Sequence, residues 1–193
     1  MMVTREEKIA HAFKSFANHK AELKDLGGIQ ILNWQIPGKI WYKVRYVFDL
    51  DGKRIYISGD LGAAVVYPTW PATFEATYRN VCGASDVNEG YFLEKVEATS
   101  NRYEYDRDEA EKMVKERCEG IEEEEDALER VMENFDDRWG LAHPSDLACQ
   151  TLGDYDEDYW EWISHAGQSI DGRIYLWLVG LKMAWQQIYK EGK

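Results

Sequence analysis

The pattern of apolar and polar positions divides the chain into a short helical start, a β-rich stretch and a long helical remainder. Thr4-Arg5-Glu6-Glu7 has the capping-box form, in which the threonine hydroxyl and the glutamate three residues on satisfy free backbone amides. Ile9, Phe13, Phe16, Ala17 and Leu23 follow at roughly helical spacing, and Gly27-Gly28 reads as the stop of that helix. Residues 29–36 are rich in β-formers and end at Pro37-Gly38. Over 40–48 strict alternation places Ile40, Tyr42, Val44, Tyr46 and Phe48 on one strand face and Trp41, Lys43, Arg45 and Val47 on the other. Asp51-Gly52 predicts a hairpin turn into a strand over 53–58, and 63–67 supplies a fourth strand of an antiparallel meander.

Beyond Pro68 and Pro71 the period becomes helical, with Pro71 suited to a helix's first turn. Phe74, Tyr78 and Val81 share a face before Gly83, and 91–98 predicts a further short helix. Asp106-Arg107-Asp108-Glu109 opens a helix to Cys118, Gly120 breaks it, and an acidic helix is expected over 121–135. Pro144-Ser145 starts a helix to Leu152, and another is expected over 155–165. Residues 172–189 carry Ile174, Trp177, Leu178, Leu181, Trp185 and Ile188 on one stripe, with Leu176, Val179 and Met183 elsewhere, which predicts a central core helix. The expected fold is α+β: an N-terminal helix, a three- or four-stranded antiparallel sheet, then a largely helical acidic C-terminal half. One domain is expected over 1–193, its sheet-bearing part at 1–100 and its acidic helical part at 101–193.

Composition supports a globular chain, with 45% hydrophobic residues, eight Trp and twelve Tyr in 193 residues. Cys82, Cys118 and Cys149 are odd in number and far apart, which fits a reducing compartment. The first sixteen residues lack the apolar run of a signal peptide, and no stretch is long enough to span a bilayer, so a cytoplasmic location is expected. The net charge of −13 is unevenly placed: residues 104–161 hold 22 acids and 6 bases, while the rest is net +3. Such a stretch repels nucleic-acid and membrane phosphates and attracts basic surfaces.

Candidate chemistry is sparse, and no cofactor or metal is expected. Four histidines carry no metal-ligand spacing, and His11 and His19, on one predicted helix, fall about 12 Å apart. Were zinc present, His143, Cys149 and His165 would be the first ligands to consider. Ser58-Gly59-Asp60-Leu61-Gly62 lacks a phosphate-loop ending and reads as a turn, and no nucleophile elbow surrounds Ser85. Asp154, Asp156 and Asp158 resemble the opening of a calcium loop, but Tyr159 and Trp160 occupy the next positions, so an acidic helix start is the plainer reading.

The acidic run is the most informative feature. Glu119, Glu122, Glu123, Glu124, Glu125, Asp126, Glu129, Glu133, Asp136 and Asp137 stand against Arg130 alone until Arg138. At helical spacing such carboxylates form a ridge of like charge able to imitate a phosphate backbone, although a solvated, solubilising face explains the same run. The candidate partner-binding residues are Glu122, Glu123, Glu125, Asp126, Glu129, Glu133, Asp136 and Asp137, with Trp139, Tyr159 and Trp160 as aromatic anchors.

Residues 34–70, NWQIPGKIWYKVRYVFDLDGKRIYISGDLGAAVVYPTW from Asn33 onward, with GYFLEKVEA at 90–98, resemble a family of uncharacterised phage and prophage proteins from Firmicutes. Small acidic proteins of comparable origin include anti-CRISPR inhibitors of type II effector nucleases. The resemblance therefore implies an inhibitor of a host defence nuclease; residues from 101 onward lie outside it and inherit no roles. Three functions remain open. One is a phage-encoded acidic protein occupying the basic nucleic-acid-binding surface of a partner such as a CRISPR effector nuclease. Another is a small enzyme acting on a nucleotide or phosphate-bearing signal through Lys43, Arg45, Lys53 and Arg54. The last is an assembly protein whose aromatics pack a homodimer. No nucleic acid is expected on the acidic face, and no membrane.

Overall fold

In the computed structural model, which describes residues 4–83, 86–118, 124–133, 135–138, 141–154 and 156–189, the fold is α+β. Thr4 caps helix α1 (Arg5–Ser15) through the expected reciprocal bonds with Glu7. The helix then stops at Ser15, about three turns before the predicted end at Gly27-Gly28. Lys20–Asp25 is strand β1, paired in full register with β2 (Ile29–Gln35). The segment KAELKD is rich in helix formers, but its Ala21 and Leu23 also alternate, and six ladder pairs outweigh a weak local preference. Gly27-Gly28 is accordingly a hairpin turn, in which Leu26 N–H donates to Ile29 O and Gly27 takes a left-handed φ of 87°.

The sheet continues with β3 (Val44–Asp49), β4 (Arg54–Gly59), β5 (Ala64–Val66) and β6 (Val96–Thr99), antiparallel throughout in the order β1-β2-β3-β4-β5-β6. It has six strands, because β1 and β6 arise from segments whose composition favours helix. Between β5 and β6 lie α2 (Phe74–Val81), capped by Thr73 rather than opened by Pro71, and α3 (Glu89–Lys95). The β3–β4 turn spans four residues, and Lys53, not Gly52, takes the left-handed conformation. Helix α8 (Gly172–Tyr189) lies over the sheet as its stripe requires.

The inner sheet face buries Leu32, Trp34, Val44, Tyr46, Phe48, Ile55, Ile57, Ala64 and Val66. Against it pack Ala12 of α1, Phe16 at that helix's C-cap, Phe74 of α2, and Ile174, Trp177, Leu178 and Leu181 of α8. Tyr46 Oη donates to Trp177 O at 2.7 Å, and Trp185 stacks on Tyr78 with centroids 4.5 Å apart. These elements form one compact unit, the described residues of 4–102 and 172–189.

The described residues of 103–171 form a second compact unit. Helix α4 (Arg107–Cys118) and α5 (Glu124–Glu133) precede a hairpin of β8 (Phe135–Arg138) and β9 (Leu141–Pro144). Then come α6 (Asp146–Gly153), capped by Ser145, and α7 (Tyr159–Trp162), which runs into a 3-10 turn at Ile163–His165. β7 (Tyr103–Tyr105) pairs with β10 (Gln168–Ile170), closing the segment on itself. Its core gathers Ala110, Val114, Val131, Met132, Phe135, Ala148, Leu152, Trp162, Ile163 and Ala166. Arg107 donates to Met132 O and Phe135 O at the end of α5, where helix carbonyls lack intrahelical partners. No helix among the described residues is long and apolar enough to cross a membrane.

Candidate functional site

The division into units sharpens the charge asymmetry. Residues 103–171 hold 23 acids against 6 bases, whereas the remainder holds 13 acids against 17 bases. The acidity thus belongs to one folded body with its own core. On α5, Val131 and Met132 face that core while Glu129 and Glu133, one helical turn apart, are exposed. Glu125 occupies the preceding turn of the same helix, and Asp126 the position beside it. Asp108, Glu111 and Glu116 of α4 and Asp146, Asp154, Glu157, Asp158 and Glu161 farther along are also exposed.

The predicted ridge is not one helical surface. Asp136 and Asp137 lie on strand β8, so residues 124–133 alone supply the described helical part. Glu122, Glu123 and Trp139 lie outside the described residues. Of the aromatic anchors, Trp160 is 63% exposed and free to meet a partner, whereas Tyr159 is half-buried and packs against the unit's core. Asp156 is a structural residue: its carboxylate accepts from Trp162 Nε1 and from Asp158 N–H, both at 2.9 Å. That use could be read from the Asp-x-Asp spacing only by knowing that Trp162 turns inward.

The four cations considered for a phosphate pocket do not converge. Arg45 pairs across the ladder with Ser58 and Asp49 with Arg54, which separates the two ends of β3 by about 13 Å at normal strand rise. Arg54 is committed to Glu97 at 3.0 Å and stacks on Tyr67, 3.9 Å from its centroid. Cysteine chemistry is muted as well. Burial pushes the Cys82 thiol far up and leaves it donating to Leu178 O, while burial and then Asp146 raise that of Cys149. Among the described residues no three His, Cys, Asp or Glu side chains gather as a metal cluster.

His19 corrects the sequence reading. It lies past the end of α1, fully buried, packed between Phe16, Trp34 and Tyr42. Its Nε2 donates to Tyr42 O at 2.6 Å, so Nδ1 is the unprotonated nitrogen, and it meets no partner among the described residues. Burial holds its pKa below the usual value, the Tyr42 carbonyl opposing this in part. Comparison with known proteins finds no matching family model, no matching curated protein and no matching solved structure.

Proposed function

We propose that this chain is a binding protein, not an enzyme, whose acidic unit occupies a basic nucleic-acid-binding surface on another protein. The reading rests on one observation: 23 acids and 6 bases are concentrated in a single folded unit rather than spread over the surface or left in a tail. Carboxylates on a folded scaffold hold fixed spacings, so a basic groove that releases counterions to phosphate can release them to this unit instead. Glu129 and Glu133, exposed one helical turn apart, repel each other by roughly 0.2–0.5 kcal/mol, a cost that binding to cations would relieve. Exposed Trp160, beside Glu161, offers the desolvated anchor that charge alone lacks. The resemblance to phage proteins makes a host defence nuclease, of the CRISPR effector class, the first partner to try.

The test is capture from a Firmicutes lysate by immobilised wild type and by E122K/E125K/E129K/E133K, with bound proteins identified by mass spectrometry. Basic nucleic-acid-binding proteins should be retained by wild type and lost by the variant, whose far-UV spectrum is unchanged. If both baits retain the same proteins, the acidic face is only a solubilising surface.

A further inference from the structure

A second surface, on the sheet-bearing unit, goes beyond the acidic face. Strand β3 begins at Val44, four residues later than the alternation predicts, and the segment left outside the sheet carries Ile40 and Trp41 into solvent, 88% and 57% exposed. This tip is held from both sides. Before it, Ile36-Pro37-Gly38-Lys39 forms a tight turn, with Lys39 N–H donating to Ile36 O at 3.1 Å and Gly38 at a φ of 74°, the positive value a type II turn demands. After it, Tyr42 adopts a left-handed φ of 60°, rare for a bulky side chain. His19 fixes that carbonyl, Phe16 and His19 pack the Tyr42 ring, and Lys43 and Asp60 exchange bonds of 2.9 and 3.0 Å. Gly59 has no side chain because a Cβ there would strike Lys43 O.

An apolar pair in a strained, over-determined loop suits a partner for which orientation matters. The tip is also cationic: Lys39 Nζ lies 4.9 Å from the Trp41 ring centroid, and Lys43 follows. Its complement is therefore an acidic depression that also offers an aromatic ring. The acidic unit carries one. A shallow, open depression of about 660 Å³ is lined by Asp146, Cys149, Gln150, Gly153, Asp154 and Tyr159.

We propose that the Ile40–Trp41 tip of one molecule docks into the Asp146–Asp154 groove of a second copy of this chain, with Lys39 and Lys43 facing the two carboxylates. Tip and groove are different surfaces, so the contact is head-to-tail. That geometry allows a complementation test by sedimentation velocity at low salt. Variants I40S/W41S and D146N/D154K are first matched to wild type by far-UV circular dichroism. Wild type should rise from the 22.5 kDa of one chain to at least twice that mass as concentration approaches about 1 mM, and should fall back in high salt. Each variant alone should stay at one chain's mass. Mixed in equal amounts, the two should form a 1:1 pair and nothing larger, since one brings an intact groove and the other an intact tip. Wild type that stays single throughout, a groove variant that associates like wild type, or a mixture that remains single would each overturn the proposal. None of these outcomes bears on the lysate capture, which uses substitutions on α5 and the residues before it.

Discussion

Replacing Gly180 with alanine separates local helix preference from packing, because the two have opposite signs. Gly180 sits in the middle of α8, where glycine is about 0.5–1 kcal/mol worse than alanine, so propensity alone says the change stabilises. The structure says otherwise. An added Cβ would lie 3.0 Å from Tyr46 Oη, 3.1 Å from Trp34 Cδ1 and 3.3 Å from Phe16 Cε2. None of these can easily give: Tyr46 is pinned by its bond to Trp177 O, and the other two rings are fully buried. Forcing a methyl into a filled core costs about 1–3 kcal/mol, and three simultaneous tight contacts belong in the upper part of that range. The net expectation is a loss of about 1–2 kcal/mol. In urea, with a slope of about 2 kcal/mol/M, the midpoint should fall by about 0.5–1 M. Near-UV circular dichroism is the suitable probe, since the stacked Tyr78–Trp185 pair of this unit contributes to it. Gly90 in α3 is the control: a Cβ there meets nothing within 4 Å, so Gly90→Ala should stabilise by about 0.5–1 kcal/mol. If Gly180→Ala stabilises as Gly90→Ala does, α8 does not cross the sheet at this glycine.

His19 sets a pH dependence whose sign follows from its lowered pKa: the neutral ring is the folded form, so its contribution is complete above the unfolded value of 6.5. As pH falls from there through the folded value, the unfolded chain takes up a proton first, and stability declines. Urea midpoints between pH 7.5 and 5.0 should therefore drop more for wild type than for His19→Gln, which keeps a donor for Tyr42 O but does not titrate; equal drops would refute the assignment. Arg107→Ala should cost the acidic unit about 1–2 kcal/mol, since charge-assisted bonds to Met132 O and Phe135 O are lost at a partly exposed helix end. Hydrogen exchange should show faster exchange at Val131 and Met132 with the sheet-bearing unit unchanged, and uniform protection would contradict the capping role.

Much of the fold was legible because period and length agreed. The stripe on α8, the capping box at Thr4 and the alternation of Val44, Tyr46 and Phe48 each point to one element, and each is present. The failures fall where tertiary context outranks local preference. Lys20–Asp25 and Val96–Thr99 carry helix-forming residues but complete the two edges of the sheet. Ile40 and Trp41 continue an alternation that Tyr42 interrupts with a left-handed φ, which nothing in its residue type announces. In the acidic unit, α4 and α6 follow their caps, but the short pairings β7–β10 and β8–β9 carry no clear period. Of the candidate site, the acidity of the run is visible in composition. That the charge coincides with a separately packed unit depends on Ala110, Val114, Ala148, Leu152 and Trp162 meeting across the fold, which spacing alone does not reveal.

Competition with nucleic acid tests the central claim most directly. With the captured partner immobilised, binding of the wild-type chain is measured by surface plasmon resonance against increasing duplex DNA, at several salt concentrations. Mutually exclusive occupancy of one basic surface requires that DNA displace the chain completely, and that the logarithm of affinity fall linearly with the logarithm of salt. E122K/E125K/E129K/E133K should bind too weakly to measure. Wild-type binding that is indifferent to both DNA and salt would contradict the account and move the interaction off the acidic unit.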